Sequence, residues 1–180
     1  MSQDHLTKEE IVFNLSGGIE RAAVISPCGQ YRYSLWRKWA ESDRMPVMWV
    51  MLNPSTADAD IDDPTIKRCM EFSRRWGYGA MWVGNLYAYR STDPAGLWAF
   101  PASDRIGPWN AHYLYKMATH SAKVICAWGA NEQSYPAIRQ LGCPGGYWHL
   151  GLTASRQPKH PLARGKHFIP YDQPLVEYRV

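Results

Sequence analysis

Residues 50–68 read VMLNPSTADADIDDPTIKR. An apolar run ends in Asn53-Pro54, four aspartates follow (Asp58, Asp60, Asp62, Asp63), and a basic segment begins. The apolar run starts earlier, as PVMWVML over 46–52. A continuous apolar run this short, stopped by a Pro-containing loop, is the pattern of a strand buried on both faces. Asp63 suits a helix N-cap and Pro64 the first helical position. Ile66, Cys69, Met70, Ser73 and Trp76 recur at spacings of three and four, while Lys67, Arg68, Glu71, Arg74 and Arg75 fall mostly off that face. The spacing predicts an amphipathic helix closed by Gly77. Strand, polar loop, helix is the repeating unit of an α/β protein.

The unit recurs downstream. AMWVGNL (80–86), KVICAW (123–128) and GYWHLG (146–151) read as strands. Residues 107–121 and NEQSYPAIRQLG (131–142) read as helices, the second interrupted by Pro136. Upstream, RAAVISPCGQYRYSLWRKW (21–39) reads as two strands about a turn at Pro27-Cys28-Gly29. Tyr31, Tyr33 and Leu35 alternate there with Arg32 and Ser34, the pattern of a half-exposed strand. Residues 1–18 read as a loose lead-in ending at Gly17-Gly18, and 19–180 as a single domain. Alternating strands and helices predict a three-layer α/β/α sandwich with a mainly parallel central sheet and an N-terminal β-hairpin.

Composition agrees with one folded domain: 180 residues, 46% hydrophobic and 20% charged. No apolar stretch reaches the ~18 residues of a membrane helix. The opening MSQDHLTKEE lacks a signal-peptide core, so the expected location is the cytoplasm, with no membrane partner. Cys28, Cys69, Cys126 and Cys143 form no C-x-x-C pair and read as buried free thiols rather than metal ligands. A net charge of +4 permits an anionic partner without requiring one. Nine Trp and eleven Tyr serve either stacked bases or a core built from large rings.

In parallel sheets, ligands bind outside the carboxyl ends of the strands. Loops leave such ends after Leu52, Leu86, Trp128 and Leu150, and all four are polar. In the first, Pro54 holds Asn53 extended, so its amide is either a fixed donor and acceptor or part of a turn. Ser55 and Thr56 add hydroxyls. Of the aspartates, Asp63 is expected to cap the helix and Asp62 to favour its dipole. The cluster otherwise offers a general base, a Mg²⁺ site or solvated loop acids. Arg68 lies one turn into the helix, within reach of Asp62 or a ligand. In the second loop, Asn85 suits the edge of a flat amide or nucleobase, or a tie between loops. Tyr87 and Trp128 are candidate stacking rings. The last loop, SRQPKHPLARG (155–165), carries Arg156, Lys159, His160 and Arg164. With Arg90, its arginines and lysine suit phosphates, and His160 suits an oxyanion or an acid role, the alternative being a solvated basic loop. G-x-G-x-x-G, Walker, H-E-x-x-H and G-x-S-x-G patterns are absent, so no cofactor is expected.

The blocks MLNPSTADADIDDPTIKR, GYGAMWVGNLYAYRSTDP, AWG and PKHPL resemble the domain of unknown function 1643 family of bacteria and their phages, over roughly residues 20–170. The order strand–NPS–helix–strand–NL–strand–WG–strand–HP is, more distantly, similar to the uracil-DNA glycosylase-like superfamily. That likeness implies DNA as partner and hydrolysis of the N-glycosidic bond of an altered or modified base. Asn53 would orient water, Asn85 would read the base, and His160 would support the departing anion. Met51 departs from the glycine that superfamily keeps beside the base, and His160-Pro161 lacks the serine that follows. Two alternatives stand beside this expectation: a Mg-dependent hydrolase or transferase of free nucleotides or small polar metabolites, and a non-catalytic nucleic-acid-binding module.

Overall fold

A computed structural model describes residues 10–55, 61–130, 138 and 141–179. Its centre is β4 (Val47–Met51), in which every residue is buried. The alternation of a strand sorts these side chains to two sides. Val47, Trp49 and Met51 join a cluster with Ile66, Cys69, Met70 and Phe72 of α1 (Pro64–Arg75). Met48 and Val50 join another with Leu114, Met117 and Ala118 of α4 (Asn110–Thr119). Helices thus cover both faces of the sheet.

α1 forms as its sequence predicts. Asp63 caps it, Oδ1 accepting from the Ile66 N–H at 2.8 Å, and Pro64 opens it. The predicted helix over 107–121 is the shorter α4, preceded by two single turns, α2 (Pro94–Leu97) and α3 (Ala102–Ile106). Most of the helix expected over 131–142 lies outside the described residues.

Four strands are parallel: β5 (Ala80–Asn85) and β6 (Lys123–Cys126) flank β4, and β7 (Tyr147–His149) pairs with β6. Beyond β5 lie β3 (Arg32–Lys38), β2 (Ile19–Ile25) and β1 (Glu10–Ser16); beyond β7 lies β8 (Val176–Glu177). The pairs β1–β2, β2–β3, β3–β5 and β7–β8 are antiparallel. The eight-stranded sheet is therefore mostly antiparallel, which corrects the expectation of a mainly parallel one. For β1–β2 and β2–β3 the cause is a short connection, because strands joined by tight turns pair antiparallel. Residues 10–16, expected within a loose lead-in, form β1. Its hairpin turns at Gly17 and Gly18, whose φ values of 58° and 70° suit the tight turn that a twisted hairpin favours.

β3 is not half-exposed. Arg32, Tyr33, Ser34, Leu35 and Arg37 are all buried, because both its faces are covered. Large rings pack around a mostly aliphatic interior: Trp49 stacks on Trp76, Tyr33 on Tyr113, and Trp36 packs against Trp82. Cys69 and Cys126 are buried, but Cys143 is half-buried and Cys28 exposed, correcting the expectation of four buried thiols. Among the described residues, no helix is long and apolar enough to cross a membrane.

Candidate functional site

The carboxyl ends of β4, β5, β6 and β7 share one rim of the sheet. A cavity of about 380 Å³ opens there. Its lining comes from every loop at that rim: Asn53 and Ser55 after β4, Asn85 and Ser91 at and after β5, Trp128 after β6, and His160 after β7. Asp63, Thr65 and Ile66 add the first turn of α1, and β3, running the other way, adds Arg32 from its start. Asn53, Asn85 and His160, far apart in the chain, thus surround a single hollow.

Asn85 is 2% exposed, and its side chain makes no hydrogen bond with another described residue. Its position is fixed from behind, where Asn110 Nδ2 donates to the Asn85 carbonyl at 3.0 Å and to that of Leu86 at 2.9 Å. His160 Nδ1 accepts the Leu162 N–H at 3.2 Å. That bond selects the neutral tautomer with its proton on Nε2, leaving Nε2–H as the donor. Burial lowers the imidazole below its usual pKa, against a smaller upward pull from Asp63. Trp128 forms a wall, its indole N–H anchored on Gln157 Oε1 at 2.8 Å.

Asn53 lines the cavity, but its amide N–H₂ is engaged. It donates to the Ser91 carbonyl at 2.9 Å, while the Ser91 N–H donates to the Pro54 carbonyl at 3.0 Å. The Asn-Pro segment therefore fastens the first loop to the second. Ser55 Oγ donates to Asp63 Oδ2 at 3.3 Å, so the capping carboxylate faces the cavity with one oxygen on the helix and one on a hydroxyl.

Several candidates lie elsewhere. Asp62 is not in the lining. Its oxygens accept from Arg37 Nε at 2.6 Å and a terminal Arg21 nitrogen at 2.9 Å. Burial would raise its pKa, but the bonds and charges of Arg37 and Arg21 outweigh that and hold it low. A carboxylate so committed is a poor general base. Arg68 pairs with neither Asp62 nor the cavity. Its Nε donates to the Pro161 carbonyl at 2.6 Å, another nitrogen donates to the Ile169 carbonyl, and its guanidinium lies over Tyr171. It holds the loop that carries His160. Tyr87 is buried against Trp98, with Arg105 over its ring, outside the cavity. Arg90 donates to the Gly29 carbonyl at 3.0 Å. Arg156 and Arg164 are exposed and Lys159 half-buried; none lines the cavity. Thr56, Asp58 and Asp60 lie outside the described residues, among which no three acidic, His or Cys side chains group as metal ligands.

Sequence reading missed Arg32, whose alternation with Tyr31 and Tyr33 suggested solvent. It is 6% exposed; its Nε has no hydrogen-bond partner, and it makes no ion pair among the described residues. Burial draws its pKa down to about 10, with repulsion from Arg90 and Arg37 opposed by Asp63, so it stays charged at neutral pH.

A second hollow, of about 530 Å³, lies near the amino ends of β5 and β6, beside Arg44, Arg75, Tyr78, Lys123 and Tyr171. Its cations are already seated on rings: Arg44 over Tyr78, Arg75 over Tyr171 and Lys123 over Trp148. The smaller cavity is the better candidate, because its Asn85 amide and Arg32 Nε are buried and have no hydrogen-bond partner among the described residues.

Fold and cavity together define a mixed α/β protein with a polar, ligand-sized pocket at the carboxyl rim of its parallel strands. The chain belongs to the family described as "Protein of unknown function (DUF1643)", whose model matches residues 32–162. No curated protein and no solved structure matches it.

Proposed function

We propose that this protein acts on a nucleobase in DNA, taking an altered base into the rim cavity and hydrolysing its N-glycosidic bond. The observation that carries the reading is the convergence on one cavity of the unbonded Asn85 amide, the His160 Nε2–H donor and the Trp128 ring. A volume of about 380 Å³ falls in the range of small-molecule pockets, about 300–1,000 Å³. An extruded base presents a flat edge to Asn85 and a face to Trp128.

In this mechanism water attacks C1′ of the sugar, and the bonding pair of the glycosidic bond leaves with the base nitrogen. Asn53 Oδ1 holds the water. Asp63, which lines the cavity while Asp62 does not, takes its proton. His160 donates toward the negative charge that develops on the base. The exposed Arg156 and Arg164 of the last loop contact DNA phosphates.

The test incubates the protein with DNA containing uracil, mismatches or hypermodified pyrimidines and assays released base by mass spectrometry. Wild type releases one of these bases. His160→Ala and Asp63→Asn release it about 10²–10⁴-fold more slowly, the range for loss of a positioned proton donor or acceptor. Release at the wild-type rate by both variants, or no release from any substrate by the folded wild type, overturns the reading.

A further inference from the structure

β3 carries two buried arginines with opposite circumstances. Arg37, 1% exposed, is matched by Asp62 at 2.6 Å. Arg32, five residues earlier, is nearly as buried, lines the cavity and has no carboxylate partner among the described residues. An unmatched buried charge weakens a fold, so a protein that keeps one gains by it elsewhere.

The backbone shows how Arg32 comes to lie there. Along the β2–β3 ladder, Val24 faces Ser34 but Ile25 faces Arg32, so Tyr33 is an extra residue on β3. Before this bulge, Leu35 packs with the α1 cluster. After it, Tyr33 stacks on Tyr113 of α4, and Arg32 falls in with Asp63 and Ile66 at the cavity. Regular alternation would have put Tyr33 on the side of Leu35 and Arg32 on the opposite one. A bulge that re-aims one side chain is a feature of sites. The local charges point the same way: Arg90 and Arg37 lie near enough to repel Arg32, and among the described residues Asp63 alone opposes them. The Asn85 amide, unbonded among the described residues, and the His160 Nε2–H line the same cavity.

We infer that the cavity selects ligands bearing an oxyanion, a carboxylate or phosphate group that pairs with Arg32 while Asn85 engages the neutral part. The inference deepens the nucleobase reading by naming the substrate class: a base that carries a negatively charged substituent, or a nucleotide whose phosphate enters the cavity. Either source supplies the same planar or tetrahedral anion to the guanidinium.

Isothermal titration with four probes tests it: thymidine, thymidine monophosphate, 5-carboxy-deoxyuridine and inorganic phosphate, each against wild type, Arg32→Met and Asn85→Ala. Wild type binds at least one anionic nucleoside roughly tenfold or more tighter than thymidine, as expected for a charge-assisted pair. Arg32→Met abolishes that preference, and Asn85→Ala weakens the nucleosides but not phosphate. Because Arg32 has no carboxylate partner among the described residues, the free Arg32→Met protein melts no lower than wild type. Preference for the monophosphate assigns the anion to the phosphate, and preference for the carboxy-nucleoside assigns it to the base. Equal binding of charged and neutral nucleosides, persistence of the preference in Arg32→Met, or a clearly lowered melting point for that variant overturns the inference. Equal binding leaves the nucleobase reading intact. Arg32-dependent binding of phosphate with no gain from an attached nucleoside does the reverse, upholding the oxyanion and removing the base.

Discussion

Asp62 shows how one residue type in one loop divides between structure and site. Read from sequence, Asp63 is expected to cap the helix and its neighbour Asp62 to favour the helix dipole. In the fold, alternation turns Asp62 toward Arg21 and Arg37, while Asp63 caps α1 and faces the cavity. Asp62 is 8% exposed, so removing its charge strands the buried Arg37 guanidinium. Asp62→Asn is expected to cost about 3–5 kcal/mol, measured by urea unfolding at neutral pH. The pH dependence has a definite sign. Because the folded carboxyl lies below its unfolded value, its stabilisation is complete above the ordinary carboxylate range, about pH 4, and is lost as pH falls through the folded value. Wild type therefore loses stability in acid more steeply than Asp62→Asn. Parallel acid profiles would show that the pair contributes nothing. The partners of Asp62 lie 25 and 41 residues away, which no local pattern reveals.

Among the elements, β4, α1 and β5 were legible because each carries a strong local signal: a run buried on both faces, an N-cap followed by proline, and a glycine-bounded apolar segment. β1 and β8 were not. β1 is an outer strand whose partner lies across a two-glycine turn, and β8 has only two residues, paired to β7 by chain return. The half-exposed reading of β3 failed because alternation cannot reveal that a second layer covers the polar side, nor that a bulge breaks the alternation. Gly84 illustrates packing between elements. A Cβ there would lie 2.7 Å from Leu114 Cδ2 and 2.8 Å from Met117 Cε, so the missing side chain lets α4 settle on β5. Both obstacles are ends of flexible side chains. Gly84→Ala is accordingly expected to cost about 1–3 kcal/mol, the usual range for overpacking, and to lower the melting temperature without abolishing folding. An unchanged melting temperature would mean that α4 does not rest on this strand.

The candidate site is a consequence of topology. Four parallel strands deliver four loops to one rim, and an antiparallel neighbour delivers the start of β3 to the same place. The polar loops marked the rim, and Asn53, Asn85, Trp128 and His160 do meet there. The tasks inside each loop were not legible: Asn53 and Arg68 are largely fasteners, holding the Ser91 loop and the His160 loop respectively. On the proposed function, this rim cavity is where a ligand binds. The most direct measurement is a nuclear magnetic resonance titration of the labelled protein with thymidine monophosphate and 5-carboxy-deoxyuridine. It follows the indole signals of Trp128 and Trp109 and the imidazole signals of His160. Binding there gives saturable shifts for Trp128 and His160 with one of these ligands, and none for Trp109, which is exposed and outside the cavity. Silence at Trp128 and His160, with shifts gathered instead around Lys123, Tyr78 and Tyr171 at the opposite rim, would contradict it.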